Sequence, residues 1–241
     1  MTISFSGLTF QIQLLYPGTE RFFAGFLTDS PSYTACLRVT QEDLRQAACY
    51  CPADASPEFL ETVALRRRLA DLLLSHDRCL FHSAAMVFRE QAYLFAAPSG
   101  TGKTTQLNLW RELYPEETTI LNGDKPVLQF LDTGTIVVHA SPWRGKESLG
   151  GTGSAPLGGI IYLRQSQADR WAPMPPGAAI LPMLGQFFCT DRTEEHYRLL
   201  LPQLKRLVCA TPIWLLENRG GPESARLCHD RLLERRECVL C

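Results

Sequence analysis

Ala97-Pro98-Ser99-Gly100-Thr101-Gly102-Lys103-Thr104 is the stretch whose reading decides the fold. It lies between an apolar run, 92–96, and a segment in which Leu107, Trp110 and Leu113 recur at helical spacing until Pro115. In that context it reads as a phosphate-cradling loop. Successive backbone N–H groups from Ser99 to Thr105 would wrap an anion, and the following helix would add the positive end of its dipole. Lys103 would reach the β- and γ-phosphates of a nucleoside triphosphate, and the Thr104 hydroxyl would ligate Mg²⁺. The pattern G-x-x-x-x-G-K-[ST] is one residue short, because Ala97 holds the place of the first glycine. Alanine suffices there if position 97 closes the strand with a negative φ, while Gly100 and Gly102 supply the tight bends. A glycine-rich turn before an ordinary amphipathic helix is the bland alternative. Strand, loop, Lys-Thr and helix in that order weigh against it.

The 241 residues are 45% hydrophobic, enough for one substantial core and a small companion subdomain. A net charge of −1 gives no overall field to hold nucleic acid or an anionic membrane. The tight basic runs, Arg66-Arg67-Arg68 and Arg235-Arg236, read as solvated helix faces. No apolar stretch approaches a membrane span, and Met1-Thr2-Ile3-Ser4-Phe5 lacks a basic region followed by an apolar one, so a cytoplasmic location is expected. Nine scattered cysteines suit a reducing compartment, with most of the thiols as core filler. Cys238 and Cys241 form C-x-x-C beyond Cys228-His229, but a fraying tail and two adjacent ligands argue against a zinc site.

Along the chain, residues 1–57 read as a small β-rich lobe, with strand-like runs at 8–14, 22–27 and 33–39 split by Pro17-Gly18 and Ser30-Pro31. A broad apolar stripe makes 58–75 a helix joining this lobe, within a connecting segment 58–79, to the main domain 80–241. There, 80–88 and 92–97 form a hairpin feeding the loop, 118–121 is a strand, and 125–130 with 135–140 is a second hairpin turned by Asp132-Thr133-Gly134. Segment 150–159 is glycine-rich and leads into a strand at 159–163; 171–176 is a proline-rich loop. Helices follow at 180–188, 194–207 and 222–236, with a last strand at 213–216. The layout is α/β but not strictly alternating.

Phosphoryl transfer needs metal ligands, cationic clamps and a group to orient the acceptor. Asn122-Gly123-Asp124-Lys125 ends a strand, where Asp124 would reach Mg²⁺ and Lys125 neutralise charge; its bland reading is a turn. His82-Ser83 opens the strand leading to the loop, and His82 shares its end of the sheet only if the register is right; a structural histidine is the alternative. In Ser141-Pro142-Trp143-Arg144-Gly145-Lys146-Glu147, Arg144 and Lys146 would clamp a transferring phosphoryl group and Glu147 would hold metal or acceptor. An exposed charged loop anchored by the tryptophan is the alternative.

In this order, His82-Ser83, the 99–105 loop, Asp124 and Arg144-Gly145 resemble the P-loop kinases of the HPr kinase/phosphorylase family, whose nucleotide fold is similar to that of phosphoenolpyruvate carboxykinase. The resemblance covers about 80–163. It implies a P-loop domain with a mixed, hairpin-rich sheet, ATP and Mg²⁺ as cofactors, and transfer to a serine of a peptide or protein substrate, with no nucleic acid or membrane partner and a homo-oligomer left open. Within it Lys103, Arg144 and Lys146 stabilise charge, Thr104 and Asp124 hold the metal, and His82 handles the acceptor. Two departures stand out. Family members carry an Asp-Asp pair where this chain has Gly123-Asp124, so the acid–base carboxylate is missing, and the acidic residue before Arg-Gly is replaced by Pro142-Trp143. A non-catalytic nucleotide sensor and a carboxykinase-like transfer to a small enolate are the rival expectations.

Overall fold

The computed structural model describes residues 1–190 and 193–239, the last five by backbone alone. Arg235-Arg236 and the Cys238/Cys241 pair thus lie outside the described side chains. At the N-terminus β1 (Thr2–Phe5) and β2 (Leu8–Gln13) form a hairpin whose two turn residues, Ser6 and Gly7, both have positive φ, 51° and 73°, the geometry that matches strand twist. Parallel β3 (Ala35–Arg38) completes a three-stranded sheet. The run expected as a strand at 22–27 is instead a 3-10 segment, Pro17–Phe26. Pro17 pre-sets the helical φ, and the buried Phe23 and Phe26 fall at the i, i+3 spacing that eclipses on a three-residue turn.

Helix α1 (Gln41–Ala48) escaped the sequence reading although its signature is present. The Thr40 hydroxyl accepts from the Asp43 amide at 3.2 Å while Asp43 accepts from the Thr40 amide at 2.7 Å, a reciprocal cap. Helix α2 (Pro57–Leu74) starts at a proline and is capped by Ser56. Its fully buried Glu61 accepts from the amides of Leu15 and Tyr16 and from the Thr19 hydroxyl, at 2.6, 3.2 and 2.6 Å. Three donors on one desolvated carboxylate fasten the lobe to this helix.

The chain continues as β4 (Arg78–Leu80), β5 (Ser83–Phe88), β6 (Gln91–Ala96), α3 (Lys103–Leu113), β7 (Thr118–Asn122), β8 (Val127–Phe130) and β9 (Ile136–His139). Then come β10 (Ser154–Gln165), β11 (Arg170–Pro173), α4 (Pro176–Leu184), α5 (Glu194–Ala210), β12 (Ile213–Asn218) and α6 (Pro222–Val239). The order β4-β8-β9-β10-β6-β5-β7, with β12 on β10 and β11 on β12, makes a curled mixed sheet of nine strands. Strand β10 is the seam: it begins at Ser154, five residues before the expected start, pairs antiparallel with β9, then runs parallel to β6 and β12. The early start is enforced by partner carbonyls and amides on β9, a long-range pairing that a glycine-rich sequence does not announce. The proline-rich stretch expected as a loop at 171–176 contributes β11, an edge strand where Pro173 closes the pairing, and α4 begins at Pro176, four residues before its expected start.

Alternate residues of the central strands feed different faces. Met86, Phe95 and Ile161 join Leu107 and Trp110 of α3 and Cys228 and Leu232 of α6 on one side. Ala85, Leu94 and Ile160 join α2, α5 and the N-terminal lobe on the other. Three layers result, sheet in the middle. Core filler accounts for fewer cysteines than expected: among the described ones Cys79 and Cys228 are buried, whereas Cys36, Cys49 and Cys209 are exposed. No described helix is long and apolar enough to cross a membrane.

Candidate functional site

Register brings the chemistry to one end of the sheet. Strand β5 runs antiparallel to β6 with Ser83 opposite Ala96, and antiparallel to β7 with Ala85 opposite Asn122. The start of β5 therefore meets the ends of β6 and β7, and the Ser83 amide donates to the Asp124 carbonyl at 3.0 Å. His82, the 97–103 loop and the 122–125 turn are neighbours for that reason. In the loop Gly100 and Gly102 have φ of 79° and 108°, conformations that a side chain resists. Gly102 caps α3, and Ala97 has no positive φ, as the alanine in the first glycine's place requires. Lys103 is buried and folds back, its Nζ donating to the carbonyls of Ala97 and Pro98 at 2.8 and 3.1 Å. Burial, then Lys125, holds its pKa below the ordinary lysine value against the opposing pull of Asp124. Thr104 is half-buried and Thr105 exposed.

Asn122 organises the turn. Its buried Oδ1 accepts from the amides of Asp124 and Lys125 at 3.0 and 2.8 Å, and its Nδ2 donates to the Ser141 carbonyl at 3.0 Å. This Asx geometry presents Asp124, whose Oδ2 takes Lys125 Nζ at 2.7 Å and whose Oδ1 lies 3.5 Å from His82 Nε2. Burial, Lys125 and Lys103 press the His82 pKa down to about 4, opposed by Asp124. Buried Gln186 has its side-chain amide 3.1 and 2.8 Å from the carbonyls of Ala97 and His82 and donates to both in the orientation that satisfies the network. Gly123 has no room for a carboxylate: a Cβ there would stand 2.5 Å from the Arg144 carbonyl oxygen and 3.0 Å from Leu149 Cβ.

The 141–150 segment closes over this turn. The Gly123 amide donates to Leu149 O and the Lys125 amide to Trp143 O, at 3.0 and 3.2 Å. Trp143 is buried among Phe5, Phe22 and Phe23 and donates its Nε1–H to Thr62 O at 3.1 Å, so the segment is bolted to the lobe and α2. Arg144 lines the cavity, but its guanidinium donates to Gly150 O at 3.2 Å and sits 5.4 Å over the Phe26 ring. Lys146 is exposed at the rim, and Glu147 accepts from Asn108 Nδ2 at 3.3 Å. His82, Lys103, Thr104, Asp124, Arg144, Lys146 and Glu147 all border one cavity of about 690 Å³.

Sequence reasoning missed several contributors. Asn122 read only as a turn former, and Gln186 as part of a helix. Arg66 is a correction: the Arg66-Arg67-Arg68 run is not a uniformly solvated face. Arg68 pairs with Asp43 at 2.9 Å, Arg67 lies 4.9 Å over the Tyr50 ring, and Arg66 turns into the cavity. The apolar stripe of α2 marks the buried face, and Arg66 sits at its edge, which is the available signal. Among the described residues no group of three or more His, Cys, Asp or Glu could hold a metal ion. Thr104 and Asp124 offer hard oxygen donors that suit Mg²⁺ when phosphate oxygens complete its shell.

No family model matches the chain, and no curated protein matches its sequence. Among solved structures it is similar to the Hpr(Ser) kinase/phosphatase from Coxiella burnetii, at a TM-score of 0.40 and 9% identity over 65% of this chain and 98% of that one.

Proposed function

We propose that this protein is an ATP-dependent phosphotransferase of P-loop type that moves the γ-phosphoryl group to a hydroxyl, a peptide or protein serine being the favoured acceptor. The observation that carries the reading is convergence: the strand–loop–helix turn, Asp124, His82 and cationic side chains from three separate segments border one cavity. The residue pattern resembling HPr kinases supports the same reading. Amides 99–105 and the α3 N-terminus bind the phosphates, and Lys103 exchanges its two loop carbonyls for β- and γ-oxygens. Thr104 and Asp124 would hold Mg²⁺, which would neutralise charge on those oxygens. The acceptor oxygen attacks the γ-phosphorus, the bond to the β,γ-bridging oxygen breaks, and ADP leaves. His82 orients the acceptor hydroxyl and takes its proton, while Lys125 and Lys146 stabilise the charge spread over the equatorial oxygens. The Walker-A-like loop thus serves binding, and little basicity is demanded of the acceptor side.

Incubation with γ-labelled ATP and serine peptides should transfer label in the wild type and lose it by about 100-fold in Asp124→Asn. Equal transfer by that variant would overturn the role given to Asp124. The closed space at Gly123 favours one second reading, a nucleotide sensor without transfer, which requires tight Mg-ATP binding and no labelled product under the same conditions.

A further inference from the structure

Arg66, like Arg144, lines the cavity without a role in the phosphate binding described above. Arg66 enters the cavity from α2 and Lys103 from the start of α3, so the two cations reach the His82–Asp124 cluster from different elements. Phosphate held at the loop by Lys103 leaves the α2 wall of the cavity to the acceptor. Among the described residues Arg66 makes no side-chain hydrogen bond and no ion pair. Its Nε is buried with no hydrogen bond among the described residues, its guanidinium lies 4.8 Å over Phe188, and it makes no ion pair there, unlike Arg68 two positions on. A guanidinium that burial desolvates and that Asp124 offsets only in part fits a planar anion well. The same wall carries Tyr50 and Phe59, 70% and 48% exposed, which line the cavity beside it and favour an amphipathic chain over a second polyphosphate.

We propose that Arg66, flanked by Tyr50 and Phe59, is the acceptor subsite, and that it takes the side-chain carboxylate of an acidic residue next to the serine that is phosphorylated. The inference rests on the phosphotransferase reading. The N-terminal lobe, through α1 and α2, then selects the substrate, while the sheet end performs the transfer.

A library of serine-centred nonapeptides, each position scanned with Glu, Gln and Lys, labelled from γ-labelled ATP, tests it directly. Wild type should favour Glu over Gln beside the serine by about tenfold in kcat/KM, seen chiefly in KM. Arg66→Gln should bring that ratio to within about twofold and leave the Mg-ATP Kd from calorimetry unchanged, and Arg66→Lys, which keeps the charge but loses the planar fork, should retain only part of the preference. A wild type indifferent to Glu, or an Arg66→Gln protein that keeps the preference or loses Mg-ATP binding, overturns the subsite. Should Arg66→Gln fold poorly, Arg66→Met, which keeps an apolar stem against Phe188, takes its place and must show the same loss of preference. Mg-ATP binding without label on any peptide overturns the subsite and leaves the triphosphate site standing; no Mg-ATP binding removes both.

Discussion

Position 123 has no room for a side chain. Any Cβ there would press to 2.5 Å from the Arg144 carbonyl, so the turn and the 144–149 segment close on each other only over glycine. Gly123→Ala should therefore destabilise the fold by about 1–3 kcal/mol, read from the midpoint of urea denaturation. Gly123→Asp, which adds a carboxylate at this position, should not raise the phosphoryl transfer proposed above; a gain would mean that the 144–149 segment yields. Another residue-scale expectation concerns pH. His139, held by Gln129 at 2.8 Å, is pushed down to about 4 by burial and then by Arg78, against an ordinary 6.5. Because the unfolded chain binds the proton more tightly, stability is unaffected by His139 above pH 6.5, falls as pH drops from 6.5 towards 4, and levels off below. His139→Gln should flatten that part of the denaturation midpoint against pH; an unchanged slope would contradict the assignment. At this scale the places of Lys103, Thr104 and Asp124 at one cavity were legible because each belongs to a local pattern, whereas that of His82 waited on the register of β5 against β6. Arg66 and Asn122 were not legible, since their roles come from contacts across the fold: Asn122 reaches Ser141, and Arg66 lies over Phe188.

Among the elements, the hairpin that delivers the loop could be read from its polar break, and Arg89 and Glu90 do take the positive φ of 48° and 66° that a two-residue turn demands. Strand β10 was legible only from residue 159, because the pairing with β9 that extends it to Ser154 is set by long-range register. Residues 22–27 failed for a different reason: a short apolar run fits strand and helix alike, and Pro17 with the phenylalanine spacing decided it. Trp143 couples the cavity segment to the lobe through Phe5, Phe22 and Phe23 and to α2 through Thr62. Trp143→Ala should cost about 3–5 kcal/mol by urea denaturation, and Trp143→Phe, which keeps the aromatic packing but loses the bond to Thr62, about 1–2. Equal losses would mean that the hydrogen bond, rather than the ring, fastens the segment.

For the whole molecule, three layers leave one end of the sheet open between the lobe and the 141–150 segment, and the cavity lies in that opening. Its walls come from the lobe and α2, from the β6–α3 turn and from the 122–125 and 144–149 segments, so no single unit builds it. The central claim is that this opening grips a triphosphate through the loop and Lys103, and titration calorimetry with Mg-ATP tests it most directly. Wild type should bind one equivalent with Kd below about 100 μM, in the range of ordinary enzyme substrates, and Lys103→Ala, melting at the same temperature, should bind at least about 100-fold more weakly. A folded wild type that gives no binding heat at millimolar Mg-ATP, or a Lys103→Ala protein that binds as well as wild type, would contradict it.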